Sequence, residues 1–431
     1  MKFHVEVISR EIIKPATSTP DHLHHFKYSL VDQLISSSFY TPLIYFYSLD
    51  HKLSNNEKSS HLKTSLSQVL NHFYPLAGVI IDNYVDCKNG GVLVLEAQVN
   101  CQLSQILQNP HPGKFNDKFL PDTIGNNLVL AIQINFFNCG SIAIGARLAH
   151  KIADGLSFVT FVKNWAETAC GINDNVCPKF VGASLFPPIL NTRSPNEFPI
   201  ENNIVLKMFV FSNSNISALK EKYVITSSTE KSKIYPTRFE ALTSFIFSRF
   251  LASNKKNTGP KKNYVLSAPM NLRKRMDPPL SDDSFGNISG SAITIISSHN
   301  DPEEEGYDHG LVNKLREAIH KFDKDFAKKH KEGIFDLYSK EVFEDKTLDI
   351  GELVFFNCSS FCRFPFYEAD FGWGKPMWVT FGDLSAKNYT ILMDTRNGDG
   401  IEAWIHLTEE QMANFETDKQ LLTYASSTPC P

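Results

Sequence analysis

The stretch RLAHKIADGLSF, residues 147–158, sets His150 four positions before Asp154 and follows the aspartate with Gly155. A neutral imidazole can take a proton from an alcohol or an amine near pH 7, because its own pKa lies close by. On a continuous helix His150 and Asp154 would share a face and could work as a dyad. The flanking residues argue for another shape. The β-rich run SIAIGARLAH, 141–150, ends at the histidine, and GLSFVTFVKNWAETAC, 155–170, puts Leu156, Val159, Val162 and Ala166 on one helical stripe. Strand, bend and helix would meet here, with Asp154 capping the helix and turned away from His150. His150 alone among the 14 histidines has an aspartate four positions on. Spacing by itself leaves two accounts open: a general base, or a satisfied strand-end histidine beside a helix cap.

A second stretch, DFGWGKP, spans Asp370, Phe371, Gly372, Trp373 and Gly374 and closes on Pro376. Taken alone it reads as a rigid structural turn, with Lys375 as a possible anchor. Kinases also carry Asp-Phe-Gly, but none of their other signatures is present. A third stretch, TRFE, is a capping box with Thr237 at the N-cap and Glu240 three residues on. The free N–H groups of such a helix start, beside Arg238, Lys231 and Lys233, could hold phosphates. The same residues also read as exposed charges around a cap. There is no G-x-S-x-G elbow, no P-loop and no G-x-G-x-x-G, so serine hydrolysis, nucleotide triphosphates and dinucleotides have no support.

These residues must be positioned by a chain of 431 residues, long enough for two domains. Mixed helical and β-rich runs in both halves predict two α/β domains. The Pro- and Asn-rich stretch 180–204 reads as a linker. The boundaries expected are 1–185, a crossover at 186–204, and 205–431. Helices are predicted over 59–72, from Gly155 onward, over 238–251, and along Leu311, Leu315, Ile319, Phe322 and Phe326. Hairpins are predicted about Cys139-Gly140 and about TRNGDG, 395–400.

Phe, with 33 copies, is abundant enough to line a large apolar pocket as well as two cores. The formal net charge of -4 gives no basic excess for nucleic acid or an anionic membrane. No run approaches the length of a membrane span, and the N-terminus lacks the apolar core of a secretory signal. The 8 cysteines are scattered; Cys358 and Cys362 form a lone C-x-x-x-C, so no metal site is expected and buried free thiols in a reducing cytosol are.

Together the stretches resemble the plant BAHD acyltransferases, which move acyl groups from coenzyme A thioesters to alcohols or amines. HKIADG matches the family's H-x-x-x-D-G motif, and DFGWG matches its second hallmark unchanged. YPLAG at 74–78, NLRKRMDPPL at 271–280, FGN at 285–287 and GDGIEAW at 398–404 extend the resemblance over nearly the whole chain. The wording is most similar to the alkaloid O-acetyltransferase branch. The resemblance implies an α/β fold of two chloramphenicol acetyltransferase-like domains with a solvent channel between them and His150 midway along it. It implies that Asp154 pairs with Arg273 of NLR, that Gly155 shapes the same turn, and that the DFGWG loop is structural and away from the chemistry. It also implies an acyl-CoA co-substrate, acetyl-CoA before malonyl or longer donors, a small-molecule alcohol acceptor, no bound metal, and a cytoplasmic monomer. Thr380 is the oxyanion-donor candidate by analogy. One departure stands out: TSFIFSRF has Phe247 where many relatives carry Trp, a change expected to alter packing near CoA. A non-catalytic metabolite-binding relative, a thioester hydrolase, or acylation followed by elimination or cyclisation are the alternative functions.

Overall fold

The computed structural model describes residues 3–88, 90–108, 116–122, 127–172, 177–189, 203–226, 233–254, 262–297, 307–321, 353–384 and 386–426. Its principal strands, in chain order, are β1 (Val5–Ile13), β2 (Tyr40–Tyr47), β3 (Val92–Val99), β4 (Leu130–Phe137), β5 (Ile142–Ala149), β6 (Ile204–Ser212), β7 (Asn263–Asn271), β8 (Ser289–Ser297), β9 (Leu353–Ser360), β10 (Trp378–Thr380), β11 (Tyr389–Asp394) and β12 (Gly400–Thr408). They form two six-stranded sheets, ordered β1-β3-β4-β5-β2-β10 and β8-β7-β9-β11-β12-β6. Each sheet is mixed: β3 and β4 run parallel in the first, β7, β9 and β11 in the second.

Two helices cover the first sheet, α1 (Asn55–Val69) and α2 (Gly155–Ala169), and they pack on each other. α1 starts one turn before the expected residue 59. Ser54 accepts from the Glu57 N–H while the Glu57 carboxylate accepts from the Ser54 N–H, a capping box that sets the start. The second sheet carries α3 (Arg238–Asn254) and α4 (Tyr307–His320). Phe322 and Phe326, placed on the α4 stripe from sequence, lie outside the described residues, as does most of the expected linker.

The hairpin β4–β5 turns at Gly140, whose φ of 80 is a left-handed value that glycine adopts without cost. The hairpin β11–β12 forms as the sequence indicates. On β12, Ile401, Ala403, Ile405 and Leu407 enter one core with α3, whereas Trp404 enters the other. That alternation lets β12 turn a second face toward the first half of the chain. Trp404 lies 6.1 Å from Trp378 and from Phe381. Trp378 in turn sits in β10, which the second half of the chain lends to the first sheet beside β2. Phe247 is buried beside Phe250 and Phe356 in the core of the second sheet.

The described cysteines are free, but Cys170 and Cys177 are exposed rather than buried. Both lie past the last residue of α2, Ala169. Among the described residues no helix is long and apolar enough to cross a membrane, and no group of His, Cys, Asp and Glu could hold a metal ion.

Candidate active site

β5 delivers His150. The strand ends at Ala149, the His150 N–H still donates to the Phe39 carbonyl at 2.9 Å, and the next residues bend into α2. The histidine is half-buried, with its ring stacked on Phe39 at 5.3 Å and 23°. Its Nδ1 is buried and reaches no hydrogen-bond partner among the described residues. Burial holds the imidazole below its ordinary pKa, against weaker opposing pulls from its own carbonyl, Asp154 and Asn287. The ring is therefore neutral at pH 7 and able to accept a proton.

Asp154 is spent elsewhere. It caps α2 by accepting from the Ser157 N–H at 2.9 Å, and it also accepts from the Ile288 N–H at 3.2 Å. Arg273, fully buried, grips it bidentately: Nη1 to Oδ2 at 2.8 Å and Nη2 to Oδ1 at 3.1 Å. The remaining guanidinium donors reach the Ser284 and Gly286 carbonyls, the Asn271 Oδ1 and the Ser157 Oγ. Burial pushes the Asp154 carboxyl up, but the Arg273 charge and these bonds outweigh it and hold the pKa below the carboxylate range. This bridge ties the first half of the chain, at Asp154, to residues 271–288 of the second. The bend removes the dyad geometry that a continuous helix would have given.

Gly155 has a packing reason. A Cβ there would stand 2.8 Å from the Phe361 ring, which the second half of the chain lays against the start of α2. Phe361 stacks on Phe364 at 5.3 Å, and both are partly exposed.

The DFGWG loop sits at the other end of α2. The Asp370 carboxylate accepts from the N–H groups of Gly372 and Gly374 at 2.8 and 2.9 Å, and those glycines have φ of 100 and 104. Phe371 is buried against Trp165 at 4.9 Å, and its carbonyl accepts from His61 Nε2 at 3.1 Å. Trp373 stacks on Phe371, and Cys170, the C-cap of α2, donates to the Asp370 carbonyl. The 15 residues of α2 make it roughly 22 Å long, and the loop packs against the part of it remote from His150.

Of the CoA candidates, Thr237 caps α3 as expected: its Oγ1 accepts from Glu240 N–H at 3.1 Å, and Glu240 accepts from the Thr237 N–H at 2.7 Å. Glu240 also pairs with Arg316, and Arg238 pairs with Asp394 at 3.0 Å. Lys233 is exposed in a short strand, and Lys231 lies outside the described residues. Thr380 is fully buried in β10. Its hydroxyl accepts from Asn116 Nδ2 at 3.2 Å and donates to the Phe381 carbonyl at 3.4 Å.

Sequence reading left two residues unassigned. Asn287 of FGN donates to the His150 carbonyl at 2.8 Å and to the buried Asp32 at 2.7 Å. Asp32 could have been found from its own signal, since Ser29 and Asp32 form a capping box.

Comparison with known proteins gives a consistent set. The profile of a family described as "Transferase family" matches residues 3–422. Vinorine synthase of Rauvolfia serpentina is 38% identical over 421 residues, 95% of each chain. Its crystal structure superposes with a TM-score of 0.83 over 98% of this chain and 99% of that one. A limonoid 7-O-acetyltransferase of Citrus sinensis is 35% identical over 99% of each chain. F. graminearum TRI101 complexed with ethyl coenzyme A shares the fold, with a TM-score of 0.71 at 14% identity over 93% of this chain and 99% of that one.

Proposed function

The chain belongs to the BAHD acyltransferase family, and from that premise we propose that it transfers an acyl group from an acyl-CoA thioester to a hydroxyl of a small molecule. The observation that carries the chemistry is the isolation of His150, a neutral imidazole at a strand end whose neighbouring carboxylate is fully engaged by Arg273. His150 Nε2 takes the hydroxyl proton as the oxygen attacks the thioester carbonyl. The tetrahedral oxyanion collapses, the carbon–sulfur bond breaks, and the CoA thiolate takes the proton from the imidazolium. A thiol of pKa about 8.5 leaves far more readily than an alkoxide, so the step runs without a metal. General-base catalysis contributes about 10²–10⁴-fold, and holding both substrates together contributes more.

Thr380 is our oxyanion-donor candidate by analogy alone; the strand register sets it beside Ile44, itself opposite Gly145, five residues before His150 along β5. The CoA phosphates dock at the start of α3 with Lys231, Lys233, Thr237 and Arg238, where they compete with Asp394 for the Arg238 guanidinium. We place the domain boundary at 186–204, a channel between the two sheets, and Phe361 and Phe364 on its wall. Asp154, Arg273, Gly155 and the DFGWG residues act as structure.

Acetyl-CoA is the donor, in keeping with the name of the limonoid O-acetyltransferase relative, and a bulky alkaloid or triterpenoid alcohol is the acceptor class. The enzyme is read as a cytoplasmic monomer. Calorimetric titration of the purified protein with acetyl-CoA, malonyl-CoA and free CoA tests the donor side without an acceptor. Micromolar binding to one site, strongest for acetyl-CoA, is expected. CoA release with a panel of hydroxylated alkaloids and triterpenoids then finds the acceptor. No binding by a folded sample, or thioester cleavage at the same rate without any acceptor, would overturn the reading.

A further inference from the structure

We propose that Asn287 is a positioning residue that holds His150 in the Nδ1–H tautomer, and that Asp32 locks the Asn287 amide in the orientation this requires. The inference rests on the general-base role of His150 and deepens it. Asn287 Nδ2 has two hydrogens; one goes to Asp32 Oδ1 at 2.7 Å and the other to the His150 carbonyl at 2.8 Å. Both partners are acceptors, and the other Asp32 oxygen is held by the Ser29 N–H at 2.7 Å. Turning the amide over would set Oδ1 against two acceptor oxygens, so its orientation is fixed. Asn287 Oδ1 is then the free end, buried, without a hydrogen-bond partner among the described residues. His150 Nδ1 is in the same condition, on the residue already tied to Asn287 through its carbonyl.

Two orphaned buried polar atoms on neighbouring residues carry a cost that mutual approach removes. Oδ1 only accepts, so the ring nitrogen that meets it carries the hydrogen, and the single proton of a neutral imidazole is thereby kept off Nε2. The bond closes as substrates fill the site, as catalytic hydrogen bonds often do. It strengthens when Nε2 gains the acceptor's proton, because a charged ring donates more strongly through Nδ1. The amide therefore favours the protonated ring, in the direction in which Asn287 shifts it.

The charged and titratable groups around this pair are few. The Asp154 charge acts on the ring through space, and Phe39 covers one of the ring's faces. Asp32 is raised to about 6, mainly by burial, with the hydrogen bonds from Ser29 and Asn287 and the Lys151 charge opposing. Lys151 itself donates to the Ile35 and Asp32 carbonyls beneath.

The test uses the full chain labelled with 15N-histidine, with His150 assigned by subtracting the His150→Gln spectrum. Wild type should show the Nδ1–H form. Asn287→Ala removes the acceptor, and Asp32→Asn supplies a donor that lets the amide turn over. Each should mix or invert the tautomer and lower kcat by about 10²-fold, as mis-set catalytic groups do, with the acetyl-CoA Kd unchanged. The acid limb of kcat should move to lower pH in Asn287→Ala. An Nε2–H form in folded wild type would overturn the proposal even if neither variant folds. Unchanged tautomer and kcat in both variants would overturn it too, while an inactive His150→Ala left the base reading intact. An active His150→Ala would remove the base reading and this inference together.

Discussion

The two motifs that identify this chain sit at opposite ends of one helix and do different work. At the start of α2, HKIADG meets the second half of the chain through a buried ion pair, Asp154 with Arg273. At its end, DFGWG meets the first half through aromatic packing and backbone turns around Asp370. The start is polar, fully bonded, and leaves one unpaired base, His150. The end is packed through aromatic rings, and its one carboxylate, Asp370, is bonded to the N–H groups of Gly372 and Gly374. A carboxylate sits at both ends, and neither serves the histidine. Motif conspicuousness and catalytic role therefore diverge: both hallmark aspartates are committed to hydrogen bonds, while His150 Nδ1 is without a partner among the described residues.

That contrast can be broken most severely at its charged end. Arg273→Leu leaves Asp154 ionised and buried without a partner and should cost about 3–5 kcal/mol of stability. Urea denaturation would read this, and a loss below 1 kcal/mol would mean the pair is not the clamp described. Acid should act on the same bridge. Asp154 has a depressed folded pKa, so its stabilising contribution is present above the unfolded carboxylate value and is lost as pH falls through the folded one.

Next in size is Thr380→Val, which keeps the shape and removes the hydroxyl. If that hydroxyl meets the oxyanion, kcat should fall by about 10²-fold with the acetyl-CoA Kd unchanged. An unaltered kcat would leave the residue as packing within β10.

The smallest effect belongs to the apolar end. Gly374→Ala forces a side chain into a left-handed conformation and should cost about 1–2 kcal/mol. Turnover per folded molecule should not change. A fall in kcat without a fall in stability would make the loop part of the site after all.

Much of this was legible in the sequence. Strand β5, the bend and α2 follow from a switch in hydrophobic period at His150, and the N-cap role of Asp154 follows from that switch. The α3 cap was legible because Thr237 and Glu240 have the required spacing. What local pattern could not reveal is anything that depends on residues far apart. Phe361 lies 206 positions from Gly155, yet its ring is the reason a side chain does not fit there. The FGN stretch was visible, but Asn287 acquires a role only when folding brings Asp32 and His150 to its two donors. The strand β10 reads as part of the second half until it pairs with Tyr45 in the first.

The most direct test of the account is the turnover of His150→Ala with acetyl-CoA and the acceptor found by CoA release, measured beside its acetyl-CoA Kd. A fall of at least about 10²-fold in kcat, with the Kd and the unfolding midpoint unchanged, is the result this structure predicts. Near-wild-type turnover in that variant would contradict it, and the proton would then have to leave the acceptor by a group other than His150.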